Sequence, residues 1–185
     1  PRHVHSTLSA LGREGIVAPG RTPLLLTDTG RRRATELVRA HRLWESYLAD
    51  EAKIPLETIH EEAERLEHVH ELADELDVSL GFPTHDPHGD PIPGPEGTIQ
   101  EASARPGTLD TLLTCPLNTP VRVTRISDQD AAFLRFIETN NLKPGQAIEV
   151  EARDAAADAV RIRGRDRSPL TIGTGAASKL LVQTV

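Results

Sequence analysis

Two stretches of sequence decide the fold, VRAHRLWESYL at residues 38–48 and IHEEAERLEHVHE at residues 59–71. In each stretch, apolar residues recur at helical spacing, and histidine and glutamate recur about one turn apart. Because an α-helix advances about 3.6 residues per turn, side chains at such intervals lie on one face. The sequence therefore predicts two neighbouring helices whose imidazoles and carboxylates can jointly enclose a divalent cation.

Six side chains make up the candidate metal site of these two helices. They are His41, Glu45, His60, Glu64, Glu67 and His68. Imidazole and carboxylate ligands without a thiolate suit Mn(II), Fe(II), Co(II) or Zn(II) rather than copper(I). The alternative is that these are solvated side chains of surface helices, which is the usual state of any single one.

The composition of the chain indicates its cellular compartment and argues against a membrane-spanning segment. The chain has 185 residues and a single cysteine, Cys115, which excludes an internal disulfide framework and suits a reducing compartment. No apolar run approaches the roughly 20 residues that cross a bilayer, and no signal-peptide pattern is visible at the start. We expect a cytoplasmic protein without a membrane segment of its own.

The net charge of −7 is unevenly distributed. Residues 1–42 carry a balance of +5, residues 43–110 a balance of −14, and residues 111–185 a balance of +2. Such asymmetry indicates an anion-binding end followed by an acidic middle that is either cation-binding or solvated.

The basic end has the order of elements found in the latter half of a winged helix-turn-helix. Residues 3–14 predict a helix, APGRTP at 18–23 predicts a hairpin turn, and Thr27 predicts the N-cap of a long helix. Arginine and short polar side chains suit phosphates and base edges, although an ordinary amphipathic surface helix is the alternative. The candidate DNA contacts are Arg2, His5, Ser6, Thr7 and Arg21.

The rest of the chain divides at a segment rich in proline and glycine. Residues 81–107 hold six prolines and five glycines, which predicts a linker or an extended arm. Strand patterns at 120–125, 147–151, 159–163 and 180–185, with a helical pattern at 129–139, then predict a small SH3-like barrel. The expected fold is a mainly α N-terminal part followed by a small all-β domain. Its expected segments are a partial winged helix (1–30), a helical metal-binding and dimerisation domain (31–80), a linker (81–110) and an SH3-like domain (111–185).

An enzyme is not expected. A zincin helix needs histidine at both i and i+4, and the position four residues after His60 is Glu64. The chain also has no GxSxG motif, P-loop or dinucleotide fingerprint, so no nucleophile with its base can be named.

The motifs together resemble a known family. LLLTDTGRRRATELVRAHRLWESYL, then IHEEAERLEHVHE and GDPIPG, are similar to the diphtheria-toxin-repressor family of metal-dependent transcriptional regulators, and the C-terminal part resembles its SH3-like, or FeoA-like, third domain. The resemblance implies that His41, Glu45 and His60 form an ancillary metal site. It also implies that Glu64, Glu67 and His68 belong to the primary site, and that the third domain contributes Asp128 to the ancillary one. Family members carry further primary-site ligands on a helix preceding the recognition helix. Since the sequence starts at Pro1 and holds no methionine, we expect that helix to be missing from it.

The resemblance implies a cytoplasmic, homodimeric repressor that binds double-stranded palindromic operator DNA when Mn(II) or Fe(II) is bound, with Zn(II) or Co(II) as surrogates. HRLWESYL is also similar to domains fused behind the permeases of metal-uptake transporters. The alternative function is therefore a metal-sensing regulatory module of an ABC transporter permease, without DNA binding.

Overall fold

The computed structural model describes residues 2–18, 20, 23–98, 109–164 and 169–185. Its N-terminal part is helical and its C-terminal part is built on one antiparallel sheet, which confirms the expected fold class. The helical part consists of α1 (Arg2–Arg13), α2 (Asp28–Asp50), α3 (Leu56–Leu66), a 3₁₀ turn (His70–Leu72) and α4 (Ala73–Ser79). None of the described helices is long and apolar enough to cross a membrane.

Contacts at the two ends of the α1–α2 connection link these helices. Among the described residues, the predicted hairpin shows one antiparallel bridge, between Val17 and Leu26. Thr27 caps α2 as predicted, its hydroxyl oxygen accepting from Gly30 N at 3.0 Å. Gly30 has no room for a side chain, because a Cβ there would lie 2.0 Å from the carbonyl oxygen of Ile16. The start of α2 is therefore held against the end of α1.

The second predicted helix is shorter than its apolar pattern. Leu56, Ile59, Ala63, Leu66 and Val69 recur at helical spacing and predict a helix to Val69. In the structure α3 ends at Leu66, and Glu67 serves as its C-cap. The chain then enters a turn and the 3₁₀ segment. Glu67 and His68 therefore lie past the regular helix on which their spacing had placed them.

The proline-rich segment is packed over the part that the structure describes. Residues 81–98 run against α2 and the sheet, with Asp86, His88, Asp90 and Ile92 buried. A single bridge pairs His85 with Pro91. The second half of the predicted linker, residues 99–108, lies outside the described residues.

The C-terminal domain contains a sheet of six described strands in the order β1-β6-β2-β3-β4-β5, with antiparallel neighbours. The strands are β1 (Asp110–Thr111), β2 (Pro120–Ile126), β3 (Ala147–Asp154), β4 (Ala159–Arg163), β5 (Pro169–Gly173) and β6 (Leu180–Thr184); the helices are α5 (Ala131–Thr139) and α6 (Thr174–Ala177). Sequence patterns predicted β2, β3, β4, β6 and α5. They missed β1, β5 and α6, which have two, five and four residues.

One hydrophobic core joins the two parts of the molecule. Leu56 and Ile59 of α3 belong to the same buried cluster as Leu134 and Ile137 of α5. Burying shared apolar surface holds such elements in a fixed relation. The sheet domain therefore packs directly on the helices that carry the predicted ligands.

Candidate metal centre

Three predicted ligands come together between α2 and α3. His41 and Glu45 lie one turn apart on α2, and His60 faces them from α3. The three distances are 3.0 Å from His41 Nε2 to Glu45 Oε1, 3.1 Å from His60 Nδ1 to Glu45 Oε1, and 3.1 Å between the two imidazole nitrogens. The three atoms therefore form a nearly equilateral triangle.

The dimensions of this triangle fit a coordination sphere. Metal–ligand distances of about 2.0–2.2 Å place adjacent ligand atoms about 3 Å apart. The Glu45 side chain is 1 % exposed, so folding removes its carboxylate from contact with water. A buried carboxylate needs a compensating cation or hydrogen bonds, and this site can accept either.

The other three predicted ligands are placed differently. Glu67 Oε2 lies 2.6 Å from His41 Nδ1, on the opposite side of the ring from the triangle. A carboxylate in that position orients the imidazole and fixes its tautomer with Nε2 free to ligate. Glu64 lies 3.6 Å from His60 Nε2 and is mostly exposed. His68 is exposed, and it belongs to neither of the ligand groups found among the described residues.

A second group of candidate ligands adjoins the first. Glu45, Asp86 and His88 offer ligand atoms that lie within 4.8 Å of one another, and all three residues are buried. Glu45 Oε2 and His88 Nδ1 face each other at 3.5 Å. Neither of these atoms, nor His88 Nε2, has a hydrogen-bond partner among the described residues. Unsatisfied buried polar atoms are uncommon, and an ion is one of the partners that would satisfy them.

Local sequence patterns did not indicate Asp86 and His88 as ligands. DPHGDPIP predicts a turn, because histidine and aspartate among prolines and glycines usually serve local turns. A turn does form there: Asp86 Oδ1 accepts from the backbone N–H of His88 and of Asp90, each at 2.9 Å. No helical spacing links this turn to Glu45, so only the tertiary structure brings them together. An available signal was two acids and a histidine within five residues.

Electrostatics at the second group favour an added positive charge. Burial, and next the charge of Glu45, raise the pKa of Asp86 to about 7. Burial also tends to raise the pKa of Glu45, but the contacts of Glu45 with His41 and His88 outweigh burial and hold that pKa well below its usual range. Burial also lowers the pKa of His88, yet nearby Glu45, Asp86 and Asp90 outweigh that effect and raise it. Without a metal, Asp86 and His88 therefore keep their protons to a higher pH than isolated groups would, because their pKa values are raised.

Two arginines compensate part of the remaining negative charge. Arg42 of α2 lies 3.6 Å from Asp86 and 4.0 Å from Asp90, and it also donates to the carbonyl of Pro91. Arg125 of β2 forms an ion pair with Asp90 from the opposite side. The loop of residues 86–90 (the ligand loop below) is thus held by cations of both parts of the molecule.

The third-domain residue expected to reach the metal site has another partner. Asp128 forms an ion pair with Lys179, and its carboxylate accepts from the backbone N–H of Asp130 at 2.9 Å. The hydrogen bond with Lys179 holds the pKa of Asp128 below its ordinary value. Its neighbour Gln129 lines the cleft of about 300 Å³ that contains His41 and Glu45. Asp128 as a ligand stays a prediction.

The candidate DNA contacts are only partly described. His5, Ser6 and Thr7 are exposed on α1. Arg21 lies outside the described residues, and for Arg2 the description stops at the backbone. α1 is thus an exposed helix linked to α2 through the Val17–Leu26 bridge, and the role of its side chains in DNA contact stays a prediction.

Comparisons with known proteins place this arrangement in a family. Residues 27–94 match the model of the iron dependent repressor, metal binding and dimerisation domain, and residues 111–184 match that of the FeoA domain. The first match includes both α2–α3 and the ligand loop. The candidate metal centre thus lies mainly within a recognised metal-binding domain.

The relatives that this chain matches over more than two thirds of their length are named as repressors. The iron-dependent repressor IdeR of Mycobacterium leprae is 32 % identical over 177 residues, covering 90 % of this chain and 77 % of that protein. The diphtheria toxin repressor of Corynebacterium diphtheriae is 32 % identical over 165 residues, covering 82 % and 70 %. A probable metal transport system membrane protein of Chlamydia trachomatis is 45 % identical over 87 residues, which are 45 % of this chain but only 19 % of that protein.

Solved structures agree with the sequence matches. A manganese-dependent transcriptional repressor in complex with manganese superposes with a TM-score of 0.81 at 32 % identity, covering 100 % of this chain and 85 % of that one. The manganese regulator SloR gives 0.71 at 28 % identity, covering 98 % and 83 %. These repressors are not enzymes, which confirms that expectation. The chain belongs to the diphtheria-toxin-repressor family of metal-dependent transcriptional repressors, with a FeoA domain at its C-terminal end.

Proposed function

We propose that this chain is a homodimeric repressor that binds operator DNA when Mn(II) or Fe(II) occupies the sites that share Glu45. One observation carries the proposal: three ligand atoms of His41, Glu45 and His60 lie 3.0–3.1 Å from one another in a cleft between α2 and α3. Helix packing has fixed these side chains at the spacing that a coordination sphere requires.

The donor chemistry supports Mn(II) or Fe(II). Both ligand groups offer imidazole nitrogen and carboxylate oxygen only. The single cysteine, Cys115, is buried in the third domain, where Arg153 donates to its sulfur. Imidazole ligands suit iron and carboxylate ligands suit manganese, and selection among divalent metals depends on ligand type and metal availability. Zn(II) and Co(II) would serve as surrogates.

Glu45 has a separate role in each group. Its Oε1 faces the two imidazoles of the triangle and its Oε2 faces His88. A divalent cation held here would supply the positive charge that offsets Glu45 and Asp86. Glu45 would then tie α2 both to α3 and to the ligand loop.

The path from metal site to DNA runs along α2. Its first turn is locked to the end of α1 by the N–H of Thr27, which donates to Ile16 O at 3.0 Å, and by the close approach of Gly30. Its middle carries His41 and Glu45. Fixing α2 against α3 therefore also fixes the orientation of α1. A ligand that favours this arrangement shifts the population toward it, and DNA does the same in reciprocal fashion.

A dimer would supply the second DNA-contacting helix. Four apolar side chains near α4 are exposed although they lie in a helical domain with its own core. They are Val69, Leu72, Val78 and Phe82. We propose that they pack against the same surface of a second copy, as twofold symmetry requires. Two such copies would read half-sites about one turn apart in a palindromic operator.

A selection from a random duplex DNA library tests the function. With Mn(II), the protein should enrich an inverted repeat; with EDTA it should enrich nothing. Glu45→Gln should abolish the selection, because one carboxylate serves both groups. Glu61→Gln is the matched control, since Glu61 is exposed on α3 beside His60 and belongs to neither group. Enrichment that is equal in EDTA would contradict metal dependence.

A second function is supported by the match to a metal transport membrane protein. In that case the chain would sense metal for a transporter and would not bind DNA. Calorimetry with Mn(II) alongside the selection separates the two. Tight metal binding without enrichment of any duplex, at several salt concentrations, would favour the transporter module.

A further inference from the structure

The ligand loop is clamped by the sheet domain at one point. The backbone N–H of Ile126, on β2, donates to the carbonyl of His88 at 2.8 Å. Gly89 has φ +86°, and a Cβ there would lie 1.9 Å from the carbonyl oxygen of Thr124 and 2.9 Å from Arg125 Cα. Only glycine permits both that backbone conformation and that approach.

An ion pair fastens the same loop one residue later. Arg125 of β2 contacts the carboxylate of Asp90, which is buried. The N–H of Asp90 in turn donates to Asp86, the carboxylate that also accepts from the N–H of His88. Three consecutive residues of β2, residues 124–126, thus contact the ligand loop. Within that loop, a hydrogen bond joins the two candidate ligands, Asp86 and His88.

The helical part holds the same loop through α2. Arg42 contacts Asp86 and Asp90 and donates to the carbonyl of Pro91. His88 Nδ1 faces Glu45 of the same helix at 3.5 Å. The ligand loop therefore lies between β2 and α2, and the separation of these two elements sets how closely His88 and Asp86 approach Glu45.

We infer that β2 of the third domain positions His88 and Asp86, so that docking of this domain and cation binding at the Glu45–Asp86–His88 group stabilise each other. Gly89, within the loop, and Arg125, on β2, are the positioning residues, since neither belongs to the ligand group. The inference rests on the proposed function and adds how the third domain regulates that site. Coupling of this kind is reciprocal, because each event favours the same arrangement.

Hydrogen exchange measures the docking without any assay of DNA binding. The Ile126 amide bonds to His88 across the two parts of the molecule, whereas the Val123 amide bonds to Gln146 inside the third domain. On adding Mn(II), exchange of Ile126 should slow markedly more than exchange of Val123. Equal changes at the two amides, in protein shown by calorimetry to have bound Mn(II), would overturn the inference.

Two pairs of variants test the positioning. Gly89→Ala should weaken Mn(II) binding at the buried group by roughly 10- to 100-fold, as loss of an orienting partner does. Gly145→Ala is the control, since Gly145 has φ +92° and no atom within 4 Å of a built Cβ. Arg125→Gln should weaken binding several-fold and Arg125→Lys should restore part of it. Arg122→Gln is the control on the same strand, where Arg122 bonds only to the carbonyl of Gly145 among the described partners.

The readout is a Mn(II) titration followed by electron paramagnetic resonance, which reports free and bound metal separately. Wild-type protein that binds no Mn(II) would refute the proposed function. Wild-type protein that binds Mn(II), with Arg125→Gln and Gly89→Ala binding equally well, would refute the clamp alone. If Gly89→Ala does not fold, the comparison of Arg125→Gln with Arg122→Gln decides the question.

Discussion

Replacing Asp86 by asparagine should stabilise the metal-free protein. Asp86 Oδ1 accepts two backbone N–H groups, and the amide oxygen of asparagine can accept both. The substitution therefore keeps the turn and removes only the ability to ionise. Burial and the neighbouring charge of Glu45 have raised the pKa of this carboxyl from 3.8 to about 7, so its ionisation in the folded protein is costly.

The size of the effect follows from the pKa. A rise of about three pKa units corresponds to about 4 kcal/mol at about 1.4 kcal/mol per unit. In the unfolded chain Asp86 ionises near 3.8, while the folded protein keeps the proton up to about 7. The folded state thus binds more protons between these values, and the free energy of unfolding falls as pH rises through that window. Asparagine avoids this loss, gaining up to about 4 kcal/mol at pH 8 but only about 2 kcal/mol at pH 5.

Urea denaturation in EDTA, followed by the fluorescence of the single tryptophan, Trp44, measures this difference. Adding Mn(II) should reverse the order, because the wild type gains binding energy that Asp86→Asn has lost. Asp128→Asn serves as a control of opposite sign: Lys179 holds the pKa of Asp128 low, so that variant should be slightly less stable at neutral pH. If Asp86→Asn were the less stable protein in EDTA at pH 8, the argument from burial would be wrong.

Three further predictions concern the same structure. Glu67→Ala should weaken Mn(II) binding at the triangle by roughly 10- to 100-fold. Glu67→Gln should retain most of the affinity, since its amide oxygen can still accept a hydrogen bond from His41 Nδ1. Calorimetric titration of the two variants with Mn(II) measures the difference. Mn(II) affinity should fall as the pH is lowered from 8 to 6, because Asp86 and His41 have raised pKa values and must lose their protons to bind the metal. Calorimetry in buffers of different ionisation enthalpy should show that protons are released on binding. An affinity that does not change with pH would contradict this. Gly30→Ala should lower the melting temperature by an amount equivalent to roughly 1–3 kcal/mol, because the added Cβ would meet a backbone carbonyl. Gly12→Ala is the control: its Cβ would have open space in α1, so stability should stay equal or rise. Equal effects of the two substitutions would show that the contact at Gly30 is not rigid.

Local sequence patterns predicted most of the elements that carry the site. His41 and Glu45 share a helix face because their spacing is one turn, and Thr27 starts that helix because its hydroxyl can accept a backbone N–H. Short-range rules of this kind act within a few residues, so they can be read without knowing the fold. At α3 these rules predicted too long a helix, because the apolar pattern continues to Val69 whereas the helix ends at Leu66.

Sequence alone determined that histidines and acids line two helices, that an arginine-rich end precedes an acidic middle, and that a β-rich domain follows a proline-rich segment. Only the tertiary structure decided that His88 and Asp86 join Glu45, that Glu67 turns to support His41, and that Gly89 lies against β2. The reason is physical. Periodicity records which side chains share a face, but the meeting of a turn, a helix and a strand distant in sequence is set by packing of the shared core, which no local pattern encodes.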